Sequence, residues 1–157
     1  FVAKNFEFFK KNNLQVLLQC GTRYSKKYKF LDSTNIKVLP FINEMDKAFS
    51  TADIIISRSG ASIISELCLV GKPVVFIPSP NVADNHQSKN ARKLYNLGAA
   101  EYVEEDEVDY KLTSIISKIL VSDIYRKSLS EKIKLLSKPN ATKIIYNEIK
   151  DYLKWII

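Results

Sequence analysis

The stretch from Ala52 to Glu66, ADIIISRSGASIISE, constrains this chain more than any other. Ile54, Ile55 and Ile56 form a short β-branched apolar run, which suits a strand covered on both faces, as parallel strands usually are. Ser57, Arg58, Ser59 and Gly60 then turn the chain, and from about Ser62 the spacing of Ile63, Ile64 and Leu67 becomes helical. The backbone amides of Gly60, Ala61 and Ser62 would crown that helix, where unpaired N–H groups and the helix dipole favour an anion. Glu66 lies one turn further in, about 6 Å along the axis from Ser62 at a rise of about 1.5 Å per residue. That distance matches the reach from a nucleotide's diphosphate to its ribose hydroxyls. An ordinary βα turn with a solvent-facing glutamate has the same local pattern, because short glycine motifs are weak evidence alone.

The rest of the chain repeats the alternation. Val2, Phe6 and Phe9 share one stripe of an opening helix, and Leu14 to Gln19 reads as a strand closed by Cys20 and Gly21. Tyr24 to Phe30 is lysine-rich and suits a short helix. Ile36 to Leu39 is a strand stopped by Pro40, and a loop from Phe41 leads to a short helix through Phe49. Gly71 caps the Glu66 helix and Pro73 clears the way for a strand from Val74 to Ile77. After the polar loop Asn81 to Gln87 come a helix from Ser88 to Leu97 and a strand from Ala100 to Val103. Leu112, Ile115, Ile116, Ile119 and Leu120 then mark a helix, and two more follow over Ser128 to Leu136 and Ala141 to Trp155. The expected fold is α/β, a doubly wound, Rossmann-like parallel sheet with helices on both faces. Such sheets bind ligands beyond the carboxyl ends of their strands, where Gln19 to Thr22, Pro40 to Met45, Arg58 to Ser62 and Ser79 to Gln87 collect.

Composition narrows the function. At 157 residues one domain suffices, and 46% hydrophobic with 26% charged residues is ordinary for a globular protein. No stretch approaches the roughly 20 apolar residues of a membrane span, and Lys4, Glu7, Lys10 and Lys11 break up any signal-peptide core. Cys20 and Cys68 lie in apolar surroundings without metal-ligand spacing and read as reduced thiols. The net charge of +7 is mostly dispersed lysine, and the acidic run from Glu101 to Asp109 argues against a nucleic-acid-binding face. The chain does not begin with Met and opens inside a helical pattern, so it is expected to be a fragment.

Each chemical candidate has a plainer alternative. His86, the one histidine, stands with Gln87 just before a helix, where the pair offers donors and acceptors suited to sugar hydroxyls. It could equally cap or pack at the helix start, and apart from Asp84 it has no local carboxylate partner for general-base work. Phe41 and the Ile42 backbone could hold a flat base, although spacing alone favours core residues at a loop entry. Arg58 could neutralise a phosphate or form a salt bridge below the loop. No metal site is expected, and no Ser-His-Asp, Walker or Rossmann GxGxxG pattern occurs, so catalysis by this chain alone is not expected.

Taken in order, Phe41-Ile42-x-x-Met45, Ala52-Asp53, Arg58-Ser59-Gly60-Ala61 with Ser65-Glu66, Gly71-Lys72-Pro73, Pro78, His86-Gln87-x-x-Asn90-Ala91 and Gly98-Ala99-Ala100 resemble the C-terminal half of the MurG family. The resemblance runs from about Leu14 to Trp155. It implies the C-terminal domain of a two-domain GT-B glycosyltransferase, truncated at its N-terminus. The family transfers N-acetylglucosamine from UDP-N-acetylglucosamine to lipid I, making lipid II for peptidoglycan, and inverts the anomeric carbon. On this resemblance residues 1–157 form the UDP-sugar donor domain. Phe41 and Ile42 would hold uracil, and Ala61, Ser62 and Ile63 would face the diphosphate and sugar. Glu66 would bind the ribose, His86 and Gln87 would contact the N-acetylglucosamine, and Arg58, Gly60 and Asn90 would complete the substrate-binding set. His86 departs from relatives with Gln at this position but keeps a polar group there.

The resemblance further implies that no cofactor or metal is required. The acceptor domain with its candidate base, a Gly-Gly-Ser loop and a central first strand would lie upstream of Phe1. The full-length enzyme would meet the lipid I acceptor at the cytoplasmic face of the bacterial inner membrane as a peripheral protein. Two other readings share the nucleotide site: another GT-B UDP-sugar enzyme, such as an epimerase or the donor subunit of a two-subunit transferase, and a non-catalytic UDP-sugar-binding module.

Overall fold

A computed structural model describes residues 1–154. In chain order the elements are α1 (Phe6–Lys11), β1 (Val16–Gln19), α2 (Ser25–Tyr28), β2 (Ile36–Leu39), α3 (Met45–Thr51), β3 (Ile55–Ser57), α4 (Ala61–Val70), β4 (Val74–Phe76), α5 (His86–Asn96), β5 (Glu101–Tyr102), α6 (Val108–Val121), α7 (Asp123–Leu135) and α8 (Ala141–Lys154). Every strand pairing is parallel. Helices on both faces follow from the alternation of β4. Val74 and Phe76 join Leu67 of α4, Ala91 and Leu94 of α5 and Ile133 of α7, whereas Val75 faces Phe9 of α1 and Leu112, Ile116 and Ile119 of α6. All three β4 residues are fully buried, as befits a parallel strand covered on both sides.

One expectation needs correction. The strands do not form a single hydrogen-bonded sheet but two parallel groups, β1-β2 and β3-β4-β5. The Val16 and Cys20 amides donate to Asn35 and Leu39 of the β2 side, so the Leu17 and Gln19 backbone groups point the other way. Likewise the Ile55 amide donates to the Pro73 carbonyl and the Ser57 carbonyl accepts from Ile77, which leaves the backbone of Ile56 turned outward. β1 and β3 therefore each keep an open edge. The two groups still share a core, since Val16 of β1 and Ile54 beside β3 pack against the cluster containing Val75.

Several boundaries also shift. The opening residues form turns, and α1 begins only at Phe6. The lysine-rich segment is a single turn of α-helix between two 3-10 turns. α7 starts at Asp123 rather than near Ser128, because the Ser122 side chain caps it by accepting from the Tyr125 amide. The C-terminal helix is described to Lys154; Trp155 lies outside the described residues. Residues Asn140 to Leu153 are all exposed, with Ile145 and Ile149 one turn apart on the solvent side. Among the described residues no helix is long and apolar enough to cross a membrane.

Among the described residues Glu101 is the one buried carboxylate, 5% exposed at the start of β5. It accepts from the Lys118 ammonium at 2.8 Å and from the Tyr125 hydroxyl, joining β5, α6 and α7. Lys118 also donates to the Tyr125 hydroxyl oxygen at 3.0 Å, and its bonds to Glu101 and Tyr125 hold its ammonium above the usual lysine range, Glu101 being the larger cause. Glu101→Leu should remove the acceptor that Lys118 and Tyr125 share and lower the unfolding free energy by about 2 kcal/mol in urea titration. Unchanged stability would show that the triad is energetically idle.

Candidate functional site

The carboxyl ends of β3 and β4 carry the candidate site, and α4 opens it. Gly60 is the residue before α4, with φ −66° and ψ 152°, and no side chain caps the helix. A Cβ added at Gly60 would meet nothing within 4 Å, so the space above the turn is open. The first intrahelical bond to Gly60 comes from the Ile64 amide, which leaves the Ala61, Ser62 and Ile63 amides available. Ala61, Ser62 and Glu66 are exposed, and Ile63 is half-buried against the core. Glu66 forms no hydrogen bond or ion pair among the described residues. Gly71 ends α4 in the left-handed region, φ 68°, with its amide on the Leu67 carbonyl.

The second arm, α5, begins at His86, so His86 and Gln87 stand in its first turn and not in the preceding loop. Asp84 and Asn85 reach this point with φ of 52° each, a conformation that short polar side chains tolerate. His86 is exposed, and its Nδ1 lies 2.8 Å from the Ala83 carbonyl, which leaves Nε2 for a ligand. The Gln87 side-chain oxygen is already engaged, accepting from the Ser79 amide at 2.9 Å. Its free NH2 end carries the remaining capacity.

Three residues fasten the two arms. Ser59, fully buried, donates from its hydroxyl to the Gln87 carbonyl at 2.9 Å, while its own carbonyl accepts from the Asn90 amide group at 3.1 Å. Asn90, expected on the substrate, therefore ties α5 to the β3–α4 turn. Arg58 takes the salt-bridge alternative: its Nη1 donates to the Ile77 and Pro78 carbonyls at 3.2 and 3.0 Å and pairs with Glu105.

The third group stands apart. Phe41 is 63% exposed beyond β2, so it is no core residue, and the Ile42 amide donates to Gln19 Oε1 at 2.8 Å. No hydrogen bond among the described residues joins this ledge to α4 or α5. Also among the described residues, no cluster of His, Cys, Asp or Glu could hold a metal ion. A cavity of about 190 Å³ lined by Phe6, Lys10, Asn35 and Ile36 lies at the amino end of β2, away from these groups. Both cysteines are free thiols, and burial pushes the Cys68 thiol up. Sequence reading missed the structural roles of Ser59, Gln19 and Glu105; an acidic run just after a strand, facing otherwise unmatched arginines, is the signal that would have found Glu105.

Comparison with known proteins now decides the family. The glycosyltransferase family 28 C-terminal domain matches residues 1–145. The chain belongs to this family. It is 44% identical over 149 residues to the UDP-N-acetylglucosamine–N-acetylmuramyl-(pentapeptide) pyrophosphoryl-undecaprenol N-acetylglucosamine transferase of Flavobacterium psychrophilum, covering 94% of this chain and 41% of that one. The enzyme of the same name from Christiangramia forsetii is 41% identical over 148 residues, covering 94% and 40%. Among solved structures, Acinetobacter baumannii MurG superposes with a TM-score of 0.77 at 32% identity, over 88% of this chain and 41% of that one. The chain thus spans about two fifths of the length of these relatives, and its two-faced parallel α/β architecture is that of a GT-B C-terminal domain.

The Ser59 clip is testable alone. Ser59→Ala removes one buried hydrogen bond and should cost about 1 kcal/mol in urea unfolding, with faster amide exchange in the first turn of α5. Native exchange rates there would show that the clip does not hold the helix.

Proposed function

We propose that this chain is the donor-nucleotide half of a glycosyltransferase that moves N-acetylglucosamine from UDP-N-acetylglucosamine to lipid I, giving lipid II with inversion. The observation that carries this reading is the uncapped N-terminus of α4 with an unpartnered, exposed Glu66 one turn in. It stands in a chain 44% identical to an enzyme whose name specifies that transfer.

In this reading the Ala61, Ser62 and Ile63 amides receive the diphosphate across the open space above Gly60. Glu66 accepts the ribose hydroxyls. Phe41 stacks on uracil beside Ile42, and His86 Nε2 and the Gln87 NH2 group contact the sugar. The acceptor's 4-hydroxyl oxygen attacks the anomeric carbon from the face opposite the diphosphate. The bond to the β-phosphate oxygen breaks with its electron pair, and the hydroxyl proton passes to a base on the acceptor domain. Fixed helix amides stabilise the charge gathering on the departing diphosphate without reorganising, the term that usually dominates such catalysis. No metal or cofactor is needed to balance this step. The acceptor domain, the lipid substrate and a peripheral place on the cytoplasmic face of the inner membrane belong to the same proposal.

Calorimetric titration of UDP-N-acetylglucosamine into the full-length protein tests it, with NAD as control. A hydrogen bond to a charged group contributes about 1.5–3 kcal/mol, so Glu66→Ala should weaken binding about 10- to 100-fold while the protein stays folded. Equal affinity in the variant, or no binding by the native protein, would sink the donor-site assignment. Phe41→Ala, a change at an exposed ring, should weaken UDP by roughly tenfold through lost stacking and leave thermal stability unchanged. An unaltered dissociation constant would remove Phe41 from the base site.

A further inference from the structure

The loop between β5 and α6 supplies none of the groups assigned to the donor, yet two adjacent carboxylates on it grip both arms of the site. Glu104 accepts from the Ser88 hydroxyl at 3.2 Å and from Arg92 at 3.3 Å, both on α5. Glu105 pairs with Arg58, which also donates to the carbonyls of Ile77 and Pro78 where β4 ends. One guanidinium thus spans the exits of β3, β4 and β5. All three contacts come from one nitrogen, Nη1, a single cationic donor shared between two carbonyls and a carboxylate.

We propose that Glu105, acting through Arg58, is a positioning residue for the sugar-binding side of the donor site. Arg58 fixes the carbonyls at the root of the β4–α5 loop, and eight residues later that loop delivers His86 and Gln87. The brace ends at Ser79, whose amide donates to the Gln87 side chain at 2.9 Å. Glu66 and the α4 amides, which the donor reading gives to ribose and diphosphate, lie on the other arm beyond Ser59 and are not touched by Arg58 or Glu105. The pair stabilises the fold only weakly, because Arg58 and Glu105 side chains are 50% and 47% exposed. Its effect therefore falls on where the loop sits. This inference rests on the donor reading for its ligand readout, but the brace itself is observable without ligand.

The test uses Glu105→Gln in the full-length protein, with Glu105→Asp as the charge-retaining control. Without ligand, amide exchange across residues 79–87 should quicken at least about threefold while the melting temperature shifts by under about 2 °C. With ligand, UDP-N-acetylglucosamine should bind roughly five- to tenfold more weakly while UDP changes less than about twofold, and Glu105→Asp should restore part of the loss. Native exchange across 79–87 overturns the brace whatever the ligand does. Equal weakening of both nucleotides reduces the pair to a general structural role and overturns the positioning. Tighter binding of both in Glu105→Gln would show that Glu105 restrains an Arg58 that itself contacts the diphosphate, again overturning it. Failure of the native protein to bind UDP-N-acetylglucosamine strikes the donor reading, and the exchange result then decides the brace alone.

Discussion

Everything in this domain hangs from β4. With Val74, Val75 and Phe76 fully buried, successive side chains must be satisfied on opposite faces, and each face needs its own helices. Phe76 and Val74 draw α4 and α5 onto one side, and Val75 draws α6 and α1 onto the other. Because all pairings are parallel, every strand exits at the same end, so the loops after β3, β4 and β5 must crowd together there. The site is a consequence of that crowding.

Within the crowd, polar groups divide into two populations. Ser59, Gln87, Asn90 and Arg58 are spent on one another and on backbone carbonyls, which makes the β3–α4 turn and the start of α5 a single unit. Glu66, the first amides of α4 and the Nε2 of His86 are left over. Buried polar atoms in the described residues all have partners, so the unspent groups are confined to the exposed rim. On the proposed function, the fastened population would carry the precision and the unspent population the ligand contacts. Catalytic geometry held to fractions of an ångström requires the first kind beneath the second.

Much of this was legible in the sequence where the local rule and the tertiary context agree. The glycine turn and the C-cap at Gly71 are decided within a few residues and stand where the pattern put them, whereas the β-branched run forms β3 one residue later, at Ile55–Ser57, with Ile56 exposed and not covered on both faces. Spacing alone favoured a core place for Phe41, against the base-holding place that the resemblance gave it, because exposure of an aromatic after Pro40 depends on what β2 pairs with, which spacing does not encode. α5 begins early because Asp84 and Asn85 adopt left-handed conformations that no periodicity reveals. Arg58 and Asn90 have the chemistry of ligand contacts, and only the position of Glu105 and Ser59 in three dimensions assigns them to bracing. The division of the strands into two groups was equally invisible, since sheet order is set by pairings between segments distant along the chain.

The base side of the site obeys a different economy from the phosphate side. The Ile42 amide is already satisfied by Gln19, so a uracil that took this donor would displace one neutral hydrogen bond to make another, a near-zero exchange. Selectivity for the base at this ledge must then come from what Gln19 does when released, or from the Ile42 carbonyl, which can accept from an imide N–H that cytosine lacks. Stacking on Phe41 favours any flat ring equally. The α4 end differs because its amides and Glu66 have no protein partner to give up, and in the proposed complex their hydrogen bonds would be charge-assisted at both ends, amide to phosphate and ribose hydroxyl to carboxylate. On the proposed function, affinity would therefore reside on the α4 arm and discrimination on the β2 ledge. The two lie on separate strand groups, β3-β4-β5 and β1-β2, joined through the shared core around Val16 and Ile54. Whatever sets the distance between those groups sets whether one nucleotide can satisfy both.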